Sequence, residues 1–468
     1  MDLNRVTKKV KPNKREQTGM NRFIEKLLKT TRKLSKIPVP MICGSVEKDT
    51  WLSGKYELDL FLLYDPKISK KELEKKGLEL AKKIIKVLKG KYEIAFAEHP
   101  YLRGSVEKYQ IDIVPCYDIK NPEKIKSSVD RTPHHVKFVK TNLENPNDVR
   151  LLKSFCISNE CYGADVKTLG FSGYLCELLI IKYGSFLKCV KDAMNWRAGQ
   201  IITFSNAKPE EASSRFKNPL IVVDPVDRKR NVGAAVSTEK FYTFVRACKK
   251  FVEKPKEEMF FKRKVRPYKI AEIKNKINER GTKWYMINFK KPNIVDDVLY
   301  PQMKRCCNSI EKMLNNQDFK VIRCDFYCGK SCVIVLEMEI WQTPKISKNI
   351  GPSVYSRHAE EFLKHYKNRQ VFVEDNNWVV ESKKEFTIVS AFLKDLFKKS
   401  NIGLLERGIP SKIAPVINKC KIYEGEKIFT LIRKMPKDFR IFMRDYFEKN
   451  FNVANDKKTS CITKKRKA

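Results

Sequence analysis

Apolar residues recur at helical spacing over Asn21–Leu34, where Phe23, Ile24, Leu27, Leu28 and Leu34 fall on one face. The same period returns over Lys70–Leu88, through Leu73, Leu78, Leu80, Ala81, Ile84, Ile85 and Leu88. Tyr92–Glu98 and Tyr109–Pro115 read as strands, so the chain as far as Asn145 predicts a small α/β unit. Val149–Val190 is again helical in period, including the apolar Tyr174–Ile181, and reads chiefly as core. From Lys283 the pattern changes. Strands are predicted at Trp284–Phe289 and Lys320–Cys324 around a helix over Pro301–Leu314, and Cys332 opens a strand-like CVIVLEMEI. A helix near Glu360–Tyr366, a hairpin from Val371–Val373 and Trp378–Val380, and a helix over Thr387–Phe397 follow. Such alternation fits small α+β domains. The aromatics Trp284, Tyr285, Phe326, Tyr327 and Trp341 occupy apolar positions and read mostly as core.

One stretch departs from plain packing. In Cys43–Leu60, CGSVEKDTWLSGKYELDL, a Gly-Ser pair precedes Glu57 and Asp59, which are flanked by Tyr56 and Leu60. Residues i and i+2 of a strand share a face, so the two carboxylates point the same way. Carboxylates so placed hold hard cations, Mg²⁺ above all beside a nucleotide's phosphates, and the Gly-Ser turn offers N–H groups and a hydroxyl to those phosphates. Alone, a Gly-Ser turn is usually only a turn and Glu-x-Asp a solvated strand edge. A third element changes the balance. Asp112 is the sole acid of Tyr109–Pro115, and a lone acid in a Val/Ile strand needs a partner such as a metal if it is buried. Together these elements are the signature of a polymerase-β-like nucleotidyltransferase.

The formal net charge of +41 points to a polyanionic partner bound with steep salt dependence. A Lys-rich codon bias contributes to it, so the charge supports RNA binding without identifying the RNA. Small α+β domains could cradle an RNA helix through its shape. The 468 residues allow three or four domains. No apolar run approaches the ~20 residues of a transmembrane helix, and the N-terminal stretch lacks the apolar centre of a signal peptide. The fourteen cysteines are therefore expected as free thiols in a reducing, cytoplasmic setting. Cys306, Cys307, Cys324, Cys328 and Cys332 lack the Cys-x₂-Cys pair usual for zinc. The basic run Lys464–Lys467 leaves a nuclear address open.

The chain resembles the archaeal-type (class I) CCA-adding enzymes along nearly its whole length. The segments that carry this are GSVEKDTWLSGKYELDLFLL, AEHPYLRG, QIDIVPCY, SSVDRTPHH, VRLLKSF, GFSGYLCELLI, VVDPVDRKRNV, KPNIVDDVLYPQ and IGPSVYSRHAEEFLKHY. The Gly-Ser and carboxylate elements are shared with poly(A) polymerases and oligoadenylate synthetases; the rest, in this order, are more specific. The resemblance implies an α+β multidomain fold. A nucleotidyltransferase head would occupy residues 1–145, a helical neck 146–258, a body 259–303 and 366–445, a tRNA-gripping tail 304–365, and a basic extension 446–468. It implies Mg²⁺ on Glu57, Asp59 and Asp112, the triphosphate on Ser45 and Lys48, and the nucleotide beside His135, Lys153 and Tyr162. Arg230 would read the incoming base. The implied partners are CTP, ATP and tRNA held at its acceptor and T arm, with no membrane; a homodimer stays open. Two departures stand out: Glu47 lies where relatives have a small residue, and His134 where they have an apolar one. The rival readings are a poly(A)- or oligoadenylate-type nucleotidyltransferase and an inert RNA-binding protein.

Overall fold

The computed structural model describes residues 1–96, 100–204, 209–262 and 265–448. The ends of two expectations, Ala97–Glu98 of the strand from Tyr92 and the basic run Lys464–Lys467, lie outside them. The chain divides into two compact units, with the division between Lys264 and Val265.

The first unit begins with helices α1 (Leu3–Val10) and α2 (Lys14–Leu34), then β1 (Val39–Cys43), the one-turn α3 (Gly44–Glu47), β2 (Glu57–Tyr64), α4 (Lys70–Val87), β3 (Lys91–Phe96), β4 (Pro100–Val106) and β5 (Tyr109–Tyr117). The five strands form one sheet in the order β1-β2-β5-β4-β3. Both long helices open on capping boxes, Asn13 with Glu16 and Ser69 with Glu72, which satisfy the N–H groups a helix start leaves free. Met20, Phe23 and Leu27 of α2, and Leu73, Leu80, Ile84 and Ile85 of α4, are the apolar stripes that cover the sheet. Gly77 lets α4 approach β5 closely, since a Cβ there would stand 2.2 Å from Pro115 Cγ.

A helical layer follows: α5 (Thr132–Asn142), α6 (Pro146–Ser158), α7 (Gly173–Tyr183), α8 (Phe186–Ala193), then β6 (Gln200–Ile202), α9 (Pro209–Arg215), β7 (Leu220–Val222) and α10 (Thr238–Glu253). Its core is aromatic, with Phe155 ringed by Phe186, Phe244, Phe251 and Phe260. The sheet and helical layers are joined by polar groups as well as by packing. Arg150 of α6, buried, donates to the Trp51 carbonyl at 2.9 Å and pairs with Asp49. Beside it, Glu177 of α7 takes Lys48 at 2.5 Å and the Thr50 hydroxyl at 2.5 Å from the sheet layer, and Lys153 of α6 at 3.2 Å.

The second unit contains α11 (Ile270–Glu279), β8 (Lys283–Lys290), α12 (Asp296–Asn315), β9 (Lys320–Cys328), β10 (Ser331–Ile340), β11 (Ile346–Ser353), α13 (Ala359–His365), β12 (Val371–Glu374) and β13 (Asn377–Lys383). It ends with α14 (Val389–Lys398), α15 (Asn401–Glu406), α16 (Ala414–Ile417), β14 (Lys421–Glu424), α17 (Lys427–Lys434) and α18 (Lys437–Glu448). One sheet runs β14-β8-β10-β9 and a second β11-β13-β12. Alternate residues of β8 enter opposite cores: Tyr285 and Ile287 pack with α12 and α14, Trp284 and Met286 with α17 and α18. This pairing differs from the division drawn from sequence. Strands β9 and β10, assigned above to a tail, share a sheet with β8 and β14, assigned to a body. The separate three-stranded sheet spans 346–383 and crosses the other border. The five clustered cysteines sit in the core on the α12 side of the larger sheet, with the Cys328 and Cys332 thiols 3.1 Å apart. Trp284 and Tyr285 are buried, and Phe326, Tyr327 and Trp341 pack against the two cores.

Removing one partner of a buried ion pair costs about 3–5 kcal/mol, because the other charge is left without compensation. Glu177→Gln strands two lysines, of which Lys153 is 3% exposed. Urea unfolding should therefore show a loss of about 3 kcal/mol, and a change below about 1 kcal/mol would mean that the lysines find other partners.

Candidate active site

Parallel pairing of β2 with β5 sets Asp59 directly beside Asp112, with Glu57 one step along beside Gln110. The sheet thus brings the three predicted carboxylates to one end of two adjacent strands. The chain enters over them from β1, whose Cys43 pairs with Asp59. Gly44 lies directly above the Asp59 carboxyl: its φ is +71°, and a Cβ would fall 1.8 Å from Asp59 Oδ2. Only glycine fits there, which gives the Gly of the Gly-Ser pair a physical role. Ser45 follows in the single turn of α3, half-buried.

Burial, reinforced by the charge of Asp112, pushes the Asp59 carboxyl up to about 6. Like charges brought together in this way suit a cation, and three carboxylates are an oxygen donor set fit for a hard divalent ion. In the structure Asp112 is instead held by Arg103, its neighbour across β4, through Nε at 2.9 Å and Nη2 at 3.0 Å. Among the described residues no group of three or more acidic, His or Cys side chains is gathered tightly enough to hold a metal.

Four of the predicted nucleotide residues, Lys48, Lys153, His135 and Arg230, gather around two buried carboxylates that the sequence did not single out. Lys48 and Lys153 meet at Glu177, and Lys153 also donates to the Thr50 carbonyl at 3.1 Å and hydroxyl at 3.0 Å. Burial raises the Glu177 carboxyl, but the two lysines outweigh it and the net direction is down. The Tyr162 hydroxyl and the Lys153 ammonium both overhang Gly173, where a Cβ would stand 3.2 Å and 3.6 Å from them. The second carboxylate is Asp224, just past β7. It receives His135 Nε2 at 3.0 Å, Arg230 Nη1 at 2.8 Å and the Tyr174 hydroxyl at 3.1 Å. The His135 ring stacks on Tyr174, 4.0 Å between centroids. Arg230 borders a cavity of about 1370 Å³ that is also lined by Arg131, Ser172 and Asp227.

The two departures are accommodated. Glu47 pairs with Lys140 at 2.6 Å. His134 turns away and bonds the Ile119 carbonyl at 2.8 Å, while His135 faces the site. Thr50, Tyr174, Glu177, Asp224 and Arg103 went unremarked in the sequence. The signal available for Glu177 and Asp224 was the one used for Asp112, an acid alone in an apolar run (YLCELLI and LIVVDP).

Three family models match: a nucleotidyltransferase domain over residues 24–135, the second domain of tRNA nucleotidyltransferase over 147–261, and the C-terminal domain of CCA-adding enzymes over 280–419. The CCA-adding enzyme of Methanocaldococcus jannaschii is 37% identical over 428 residues, 88% of this chain and 93% of that protein. The chain belongs to the CCA-adding enzymes. Those of Archaeoglobus fulgidus (36% identical, covering 85% of this chain and 89% of that one) and Methanosarcina acetivorans (34%, covering 94% and 97%) match at similar levels. Among solved structures, a cytoplasmic RNA terminal U-transferase aligns at a TM-score of 0.44 and 14% identity, covering 56% of this chain and 97% of that one. Within the family fold the sheet layer is a polymerase-β-like nucleotidyltransferase head, a class of enzyme that uses divalent metal ions. Among the described residues no helix is long and apolar enough to cross a membrane.

Asp224 links this site to acid stability. Burial raises its carboxyl, but the His135 bond, the backbone bond from Val226 and the Arg230 charge hold it down at about 2, against 3.8 when free. A depressed folded value means stability present above 3.8 and lost as pH falls through 2. The difference is worth about 2.5 kcal/mol at pH 6 and roughly half of that at pH 3. The stability gap between wild type and Asp224→Asn in urea unfolding should narrow by about 1 kcal/mol between those pH values, whereas an unchanged gap would show Asp224 titrating normally.

Proposed function

We propose that the protein completes the 3′ end of tRNA, adding C, C and A stepwise from CTP and ATP without a nucleic-acid template and releasing pyrophosphate. Kinship with CCA-adding enzymes over most of the chain carries this reading, and the site supports it. In each step the terminal 3′-hydroxyl of the RNA attacks the α-phosphorus, a new P–O bond forms, and the bond to pyrophosphate breaks. Glu57, Asp59 and Asp112 would hold Mg²⁺, which supplies acidity to the hydroxyl and neutralises charge on the phosphates. Ser45 and Lys48 take the triphosphate, and Lys153 and Tyr162 stand at the nucleotide. Lys48 spends one of its three N–H donors on Glu177 and keeps the others for phosphate, whereas Lys153 already spends three on Glu177 and on the Thr50 carbonyl and hydroxyl. His135 and Arg230 face the base. The second unit and the abundant surface lysines suit contact with the phosphates of tRNA, whose A-form groove is read by shape.

Supplying tRNA that lacks its last three nucleotides with CTP alone, ATP alone, or both separates the readings. A CCA-adding enzyme adds two C residues from CTP alone and A only once these are present. Long tails from ATP alone would favour a poly(A)-type enzyme, and no product with Mg²⁺ and both nucleotides would favour an inert RNA-binding protein.

Asp59→Ala should abolish transfer of both CMP and AMP while leaving tRNA affinity, measured by filter binding, within a factor of about two, since affinity comes from lysines and arginines elsewhere. Retained AMP transfer would refute a single shared site.

Arg230 offers its fork of donors to ring-nitrogen acceptors that cytosine and adenine share; in uracil and guanine the corresponding nitrogens carry hydrogens. Loss of one charge-assisted bond, about 1.5–3 kcal/mol, lowers discrimination by roughly 10–150-fold in Arg230→Ala. The measurement is kcat/KM for CTP, ATP, UTP and GTP. An equal fall for all four would assign Arg230 to phosphate binding or to structure.

A further inference from the structure

We infer that Asp224 is the positioning residue that makes base selection possible, by holding the Arg230 guanidinium in one orientation; this rests on the reading of Arg230 given above. The Asp224 side chain is completely buried, whereas that of Arg230 is 38% exposed at the cavity. Arg230 Nη1 and His135 Nε2 both donate to Oδ2, and Tyr174 Oη and the Val226 N–H donate to Oδ1, the last at 3.0 Å. With Arg230 also donating to the same oxygen, His135 Nε2 carries its proton. The loop between the two residues is closed as well. The Asp224 N–H donates to the Arg230 carbonyl at 3.0 Å, the Arg230 N–H to the Asp227 carbonyl at 2.9 Å, and Asp227 is held by Arg131 at 2.8 Å. Arg230 is therefore fixed at its backbone and at one tip of its fork, and its remaining donors stand in a set direction.

Fixation matters because arginine by itself is not selective. Every base presents some acceptor, including the carbonyl oxygens of uracil and guanine, and a guanidinium free to rotate could satisfy any of them. Selection of cytosine and adenine needs donors that stay where a ring nitrogen can accept and a ring N–H cannot. An Asn at 224 could not replace the carboxylate. Its one oxygen would serve either the Arg230–His135 pair or the Tyr174–Val226 pair, and its NH₂ would confront donors at the other.

The test is kcat/KM for CTP and UTP on tRNA lacking its last three nucleotides, in wild type, Asp224→Asn, Arg230→Ala and the double variant. The CTP/UTP ratio should fall at least ~10-fold in Asp224→Asn, and the double variant should discriminate no worse than Arg230→Ala alone, because one residue acts through the other. A ratio kept in Asp224→Asn but lost in Arg230→Ala overturns the inference and leaves Arg230 as base reader; effects that multiply in the double variant overturn it too. A ratio unchanged in Arg230→Ala instead removes the base-reading role itself. A second measurement needs no altered Asp224. In wild-type protein with ¹⁵N-labelled arginine, the signal missing from Arg230→Ala should show hindered guanidinium rotation, and free rotation would overturn the inference.

Discussion

Cations placed out of water must be answered by carboxylates, and in this strongly basic chain that constraint organises the site. Glu177 and Asp224 are 1% and 0% exposed, and both belong to the helical layer. Glu177 gathers Lys48 and Thr50 from the sheet layer with Lys153 from the helical layer, and Asp224 gathers His135, Tyr174 and Arg230 within the helical layer. Replacing such a cluster by apolar residues would often be no less stable. Its value lies in geometry. The sheet layer brings Glu57, Asp59 and Asp112 to one end of two strands, and the Glu177 cluster ties that layer to the helical one.

The sheet poses the opposite problem, since it brings carboxylates together. Parallel pairing forces Asp59 and Asp112 side by side, and burial makes the charge on Asp59 harder to hold. Arg103 answers Asp112 with a two-pronged pair. Among the described residues Asp59 has no such clamp, and glycine at 44 leaves its carboxyl the space it occupies. The polypeptide therefore tolerates a cluster whose charges suit a cation.

How much of this could be read from the chain depended on whether the signal was local. Glu57 and Asp59 stood out as a pair on one strand face after a Gly-Ser turn, and Asp112 as an acid alone in an apolar strand. The same argument applied to Glu177 and Asp224, but their apolar surroundings read as plain core and the acids within them went unweighed. Helices such as Lys70–Val87 were legible to within a residue, since a stripe at 3.6-residue spacing and a Ser-x-x-Glu start are local features. Strand order in the second unit was not. Nothing near Ser331–Ile340 says that it pairs with Lys283–Lys290 on one side and Lys320–Cys328 on the other, so the drawn body and tail cut through a sheet. The family resemblance selects His135 over His134; in the structure, helix neighbours diverge by about 100°, so His135 meets Asp224 while His134 meets the Ile119 carbonyl.

The kinds of cation used follow from what each must do. Lysine at 48 and 153 is a compact charge with three rotatable donors, which lets both meet at the one Glu177 carboxylate while their stems stay packed. The same freedom would defeat a residue that must tell cytosine from uracil, where hydrogen-bond donors and acceptors exchange places around a similar ring. At 230 the chain has arginine, whose donors are fixed relative to one another, and then fixes the whole fork by spending one of them on Asp224. A template strand selects bases by presenting rigid donors and acceptors. With Arg230 as the proposed base reader, a buried carboxylate holding a planar guanidinium would provide the same rigidity from protein groups, with no strand to copy.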